Sequence, residues 1–223
     1  MRRVFPLPVL DAVSASQMYG FARHAHSNGL PTVEICMIAT PDGAITMDGR
    51  SGPLGSADDR AVLLALREAA DIVLVGAGTA RAEPYSAPSK AGQRIAVVTR
   101  TGDVDTTTQL FTSGAGLLVI PRSAPTPKVS HIRAGDTSVD FAEALAQLDV
   151  AFVHAEGGSQ INTELLNAGV VDAINLSLAP FLSGGNGMRI ASSHVPHYFD
   201  LVHVCNAGDH TFVRYERNKI TSA

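Results

Sequence analysis

Two glycine-rich stretches carry the residue types best suited to holding a charged ligand. Val75-Gly76-Ala77-Gly78-Thr79 closes the apolar run DIVLVG (Asp71–Gly76), and Glu156-Gly157-Gly158-Ser159 closes AFVHAE (Ala151–Glu156). Glycine lets a phosphate approach the backbone closely, and the free N–H groups of a helix start attract anions. Either stretch alone reads equally well as a plain turn. Two such junctions in one chain favour a dinucleotide, which has two phosphate regions to hold. The pattern is not the Rossmann fingerprint, because Arg81 stands where a third glycine should follow Gly76 and Gly78, and there is no P-loop. Thr99-Arg100 closes a further apolar run. A hydroxyl and a guanidinium there could hold the 2′-phosphate that separates NADP from NAD, or form an ordinary solvated turn.

Other chemistries find less support. The chain has neither an HExxH nor a paired CxxC motif, so no metal is expected. His194 and His197 flank Pro196 in a loop-like segment and read as surface residues. There is no GxSxG elbow, and Cys36 sits within a strand-like run without an evident partner, which argues against covalent nucleophilic catalysis.

The elements that must position these residues follow from periodicity. Ser14–Asn28 reads as a helix closed by Gly29, and Thr32–Thr40 as a strand ending in the turn Pro41-Asp42-Gly43. Ser56 followed by Ala57, Asp58 and Asp59 caps an amphipathic helix over Ala57–Ala70. The short apolar runs Asp71–Gly76, Arg94–Thr99 and Gly116–Pro121 have the composition of strands buried on both faces. Thr137-Ser138-Val139-Asp140 caps a helix running to about Leu148, and the strand Ala151–Glu156, a helix ending at Gly169 and the strand Asp172–Pro180 follow. The tail predicts a hairpin across Asn206-Ala207-Gly208-Asp209. This alternation implies an α/β fold, a mostly parallel sheet with helices on both faces and a C-terminal antiparallel hairpin. One domain over residues 1–223 is expected. A net charge of −4 without a basic stripe argues against nucleic acid as a partner. The start, basic and then apolar with two prolines, does not read as a signal peptide, and no apolar run approaches the length of a membrane span. Buried reduced thiols at Cys36 and Cys205 point to the cytoplasm. Charged residues make up only 17% of the chain, which suits a large core and an oligomer interface.

Taken together, the motifs resemble the reductase domain of riboflavin biosynthesis, a family with the dihydrofolate-reductase-like fold. The likeness rests on Ala39-Thr40-Pro41-Asp42-Gly43-Ala44, Asp48-Gly49-Arg50-Ser51-Gly52, Asp59-Arg60 with Leu66-Arg67, and Gly76 through Glu83 with Tyr85. Glu156-Gly157-Gly158 with Leu165-Leu166, Gly169 and Val171-Asp172 is its most specific block, extended by Ala179-Pro180 and Gly184-Gly185. The likeness is strongest to stand-alone, actinobacterial-type members.

The resemblance implies a three-layer αβα reductase that uses NADPH to convert a ribosylamino-pyrimidine phosphate to its ribitylamino product, acting as a homodimer. It places Thr40, Val75, Gly76, Gly78, Thr79, Thr99, Arg100, Glu156, Gly157, Gly158 and Ser159 at the cofactor, with Glu156 fixing its loop by accepting backbone N–H groups. It places Asp42 at the reacting centre and Arg60, Ser51 and Glu83 at the substrate. A phosphate near Arg60 would need the guanidinium itself, since Asp58 and Asp59 occupy the helix's first turn. The sequence departs from the family where Ala44 replaces a lysine, where Ala82-Glu83-Pro84 replaces Asp-Asp-Pro, and where no arginine occurs in residues 85–90. Fewer cations leave open reduction of dihydrofolate or another pteridine, and a protein that binds NADPH without turnover.

Overall fold

In the computed structural model, residues 1–83 and 85–218 are described. Strands whose every position is apolar are those covered on both faces. All five residues of β3 (Ile72–Gly76) and of β5 (Gly116–Ile120) are buried, and β4 (Arg94–Val98) is buried after its first residue. They join β2 (Thr32–Ala39), β7 (Phe152–Ala155), β8 (Ala173–Leu178) and the short β6 (His131–Arg133) in a parallel array. The hairpin of β9 (Phe199–Ala207) and β10 (His210–Arg217) adds antiparallel to β8, and β1 (Arg2–Phe5) adds antiparallel to β9. The order across the ten-stranded sheet is β1-β9-β10-β8-β2-β7-β3-β4-β5-β6.

Helices cover both faces. On one side α5 (Phe141–Ala146) and α6 (Ser159–Asn167) pack Phe141, Leu145 and Leu165 against Val33, Leu74 and Val153. On the other, α1 (Ala15–Tyr19) and α2 (Ala57–Ala69) pack Tyr19, Val62 and Leu66 against Phe152 and Phe212, while α4 (Gln109–Thr112) adds Leu110 and Phe111 over Val73 and Leu118. The short α3 (Ala77–Ala82) follows β3 directly. Ser56 caps α2 by accepting from the Asp59 amide at 3.1 Å, and Asp140 caps α5 by accepting from the Glu143 amide at 3.0 Å. No helix among the described residues is long and apolar enough to cross a membrane. Cys36 and Cys205 are free and buried.

The first helix is much shorter than the periodicity predicts. It stops at Tyr19 because the Arg23 guanidinium turns back, donating to the carbonyls of Tyr19 at 2.6 Å and Phe21 at 2.5 Å. Had the helix continued, the backbone N–H of Arg23 would have claimed the Tyr19 carbonyl. The same guanidinium forks onto Glu34 of β2 at 2.9 and 2.8 Å. Arg214 of β10 forks onto that carboxylate from the other side at 2.7 and 2.8 Å, and Asn175 of β8 donates at 2.9 Å. One buried carboxylate thus ties three neighbouring strands to the segment after α1. Burial opposes its ionisation, but the bonds and charges of Arg214 and Arg23 outweigh burial and hold Glu34 at about 2, against an ordinary 4.5.

Removing this charge leaves two desolvated guanidiniums facing each other. We expect Glu34→Gln to cost about 3 kcal/mol in urea denaturation at neutral pH. Because the folded-state pKa is depressed, wild type holds this stabilisation above pH 4.5 and loses it as pH falls toward 2, so the gap between the two proteins closes over that window.

Candidate active site

β3 and β7 are neighbours in the parallel sheet, so the two glycine junctions emerge side by side at its carboxyl edge. The Gly76 amide donates to the Gly157 carbonyl at 3.1 Å, and the Glu156 amide to the Leu74 carbonyl at 2.9 Å. The contact admits no side chains. A Cβ on Gly76 would stand 2.8 Å from Ile161 Cγ1, and one on Gly157 would stand 2.5 Å from Met37 Sδ. Gly157 and Gly158 have φ of +78° and +85°, a region that glycine enters without steric cost. Gly158 then starts α6 with no side-chain cap, leaving the first-turn N–H groups free for a ligand.

These junctions line a cavity of about 1090 Å³, near the upper end of ordinary ligand pockets. Its walls include Gly76, Gly78 and Thr79 after β3, Thr99 and Arg100 after β4, and Gly158 and Ser159 at α6. Asp42, after β2, faces the same space. Thr40, Val75 and Gly157 lie buried beneath this surface. Thr99 also shapes its own turn, its hydroxyl accepting from the Gly102 amide at 3.2 Å. Three guanidiniums reach the cavity: Arg81, which donates to the Asp103 carbonyl at 3.1 Å, Arg100 and Arg189.

Glu156 supports the site from below. Its carboxylate accepts from Arg67 Nε at 2.5 Å, from Arg67 Nη2 at 2.6 Å and from the Tyr85 hydroxyl at 2.8 Å. The loop is therefore fixed through side chains rather than through the backbone N–H groups that the sequence suggested as donors. His154 Nε2 lies 3.3 Å away, within ion-pair distance but outside hydrogen-bond geometry. Burial would raise the Glu156 pKa, but the Arg67 pair overrides it and holds the group at about 2. Burial and the Glu156 charge push the Tyr85 phenol well above its ordinary range, so it stays a neutral donor. One carboxylate thereby clamps α2 and the segment after α3 to the residue that precedes Gly157.

Asp42 holds the opposite rim. Its carboxylate accepts from the Thr40 hydroxyl, from the Gly184 amide at 2.7 Å and from the Ser183 amide at 3.3 Å. The Thr40 bond, then that of Gly184, keeps its pKa below the ordinary value, so it is ionised at neutral pH. The segment 183–192 is pinned further where the Ile45 amide donates to the Met188 carbonyl at 3.0 Å, Asn162 Nδ2 to the Ile190 carbonyl at 2.9 Å, and the Ser192 amide to Thr163 Oγ1 at 2.8 Å. It forms a strap across the cavity between β2 and α6.

Three of the sequence's candidates lie elsewhere. Arg60 is on the exposed face of α2 and does not line the cavity. Ser51 donates to Glu83 Oε1 at 2.5 Å, and neither residue lines the cavity. Sequence reasoning noted Gly184-Gly185 but missed Arg189, Thr163 and the course of the strap, because no periodicity marks a coil segment whose position is set by distant partners. No cluster of three or more potential metal ligands occurs among the described residues.

The chain is similar to several known proteins. The chain is 25% identical over 177 residues to the 2,5-diamino-6-ribosylamino-4(3H)-pyrimidinone 5′-phosphate reductase of Methanothermobacter thermautotrophicus, covering 71% of this chain and 82% of that one. Its fold is similar to that of a pyrimidine reductase-like protein from Corynebacterium diphtheriae, with a TM-score of 0.78 and 21% identity over 93% of this chain and 100% of that one. It is also similar to dihydrofolate reductase from Enterococcus faecalis, with a TM-score of 0.55 and 16% identity over 84% of this chain and 97% of that one. Residues 31–213 match the RibD C-terminal domain, and with a cavity built at the carboxyl edge of the sheet the chain belongs to that family.

Proposed function

We propose that this protein is an NADPH-dependent reductase of a ribosylamino-pyrimidine 5′-phosphate, the substrate class named for its methanogen relative. The observation that carries the reading is one cavity bounded by both glycine junctions on one side and by Asp42 on the other. A nicotinamide dinucleotide fits the residues present. Gly76, Gly78 and Gly158 line the cavity without side chains, the uncapped first turn of α6 opens onto it, and Thr79 and Ser159 stand beside it. Arg100, exposed at the end of β4, is placed to pair with a 2′-phosphate.

When bound, the cofactor supplies a hydride. The protein's own groups bind and orient. Asp42, ionised and accepting three bonds, holds the strap against the turn after β2 and presents a carboxylate edge to the substrate's N–H groups. Its depressed pKa suits an acceptor and not the acid that delivers the final proton. Solvent at the open rim is the proton's source in this reading.

The direct test is NADPH oxidation by purified protein, with the ribosylamino-pyrimidine phosphate and dihydrofolate offered separately. Turnover on the first alone supports the proposal. Turnover on dihydrofolate alone contradicts the substrate, and cofactor binding without turnover on either contradicts the reaction. Three variants probe the parts. Gly158→Ala forces a side chain into φ +85° beside Thr79 and should lower stability in urea denaturation by about 1–2 kcal/mol, the cost of a left-handed residue. Arg100→Gln should weaken NADPH about tenfold and leave NADH unchanged in a binding titration. Asp42→Asn should lower kcat at least tenfold with NADPH affinity kept, measured by steady-state rates beside cofactor titration.

A further inference from the structure

The three guanidiniums of the cavity are not equivalent. Arg81 and Arg100 follow β3 and β4, while Arg189 hangs from the strap over the end of β2. Two strands, β7 and β3, separate β2 from β4. At the ~4.8 Å spacing of neighbouring strands that is about 14 Å. A dinucleotide laid along the junctions of β7, β3 and β4 uses the cations at one end and leaves Arg189 at the other, beside Asp42.

Arg189 is also unspent. It makes no ion pair or hydrogen bond among the described residues, although Asp42 shares its rim. The Asp42 carboxylate is already engaged by Thr40, Ser183 and Gly184. The guanidinium is seated close to the turn nonetheless: a Cβ on Gly43 would stand 3.3 Å from its Nη1. The neighbouring position carries no cation: Ala44 is buried beneath the strap, where a Cβ added to Gly187 would stand 3.1 Å from the Ala44 Cβ. The guanidinium at this end of the cavity comes from the strap.

We infer that Arg189 is the specificity-determining residue that receives the substrate's phosphate. The inference rests on the reductase reading for what the substrate is, but not for whether an anion binds. A planar fork with five donors suits a phosphate monoester's oxygens, and an unpaired guanidinium in a concave wall leaves them to the ligand.

The test is calorimetric titration of ribose 5-phosphate and of ribose into protein saturated with NADP+, for wild type, Arg189→Gln and Arg189→Lys. Wild type should bind ribose 5-phosphate at least tenfold more tightly than ribose. Arg189→Gln should abolish that preference, Arg189→Lys should keep part of it, and both variants should bind NADPH within twofold of wild type. No preference in wild type, or a preference unchanged in Arg189→Gln, overturns the inference, as does lost NADPH affinity in that variant, which would assign the guanidinium to the cofactor. A preference lost in Arg189→Gln while wild type turns over no ribosylamino-pyrimidine keeps the anion site and sinks the reductase reading instead.

Discussion

The site depends on how closely the carboxyl ends of β3 and β7 approach. Gly76 and Gly157 share a backbone hydrogen bond at 3.1 Å with no room for a Cβ on either residue. Parallel neighbours set their ends side by side, but side chains there would run into Ile161 and Met37 and force the two ends apart. With hydrogen in their place the two junctions meet at the floor of the cavity. This also lets α6 begin immediately, so that its uncapped first turn opens onto that floor. The geometry is costly in conformational freedom, and two consecutive left-handed glycines need an external clamp to stay in place.

Glu156 supplies that clamp. It sits one residue before the glycines and is held by a forked Arg67 and by the Tyr85 hydroxyl. Glu34 repeats the device three strands from β4, where two arginines converge on one carboxylate and join β2, β8 and β10. Buried ion pairs of this kind contribute little net stability against well-packed apolar groups, yet they are strongly destabilising to break. Their value here is geometric. One fixes where the hairpin and the segment after α1 meet the sheet, and the other fixes the loop at the cavity. Asp42 does the same work at the exposed rim, where solvent weakens each bond and three are used in place of a fork.

Much of this was legible before any coordinates. Continuous apolar runs such as Asp71–Gly76 and Gly116–Pro121 announce strands buried on both faces, and the hairpin follows from Gly208-Asp209 between alternating segments. β1 and β6 escaped because three or four residues carry no measurable periodicity. The helix predicted across Ser14–Asn28 failed for a physical reason: Arg23 satisfies the Tyr19 carbonyl with its side chain, a tertiary contact that local propensity does not encode. The glycine junctions were visible as motifs, and so was Glu156 beside them, but its partners lie 71 and 89 residues away. Gly184-Gly185 was visible as part of the family likeness, but Arg189 and the course of the strap were not, since nothing within the coil after β8 says that it lies against residues 42–45.

The central claim is that a nicotinamide dinucleotide lies across the paired junctions of β3 and β7. Backbone amide hydrogen exchange, followed with and without NADPH, addresses it directly. The account predicts slowed exchange in residues 76–80 and 157–163 together, with residues 90–94 and 147–151 at the opposite ends of the strands unchanged. Slowing confined to that opposite end, or to one glycine junction without the other, would contradict it.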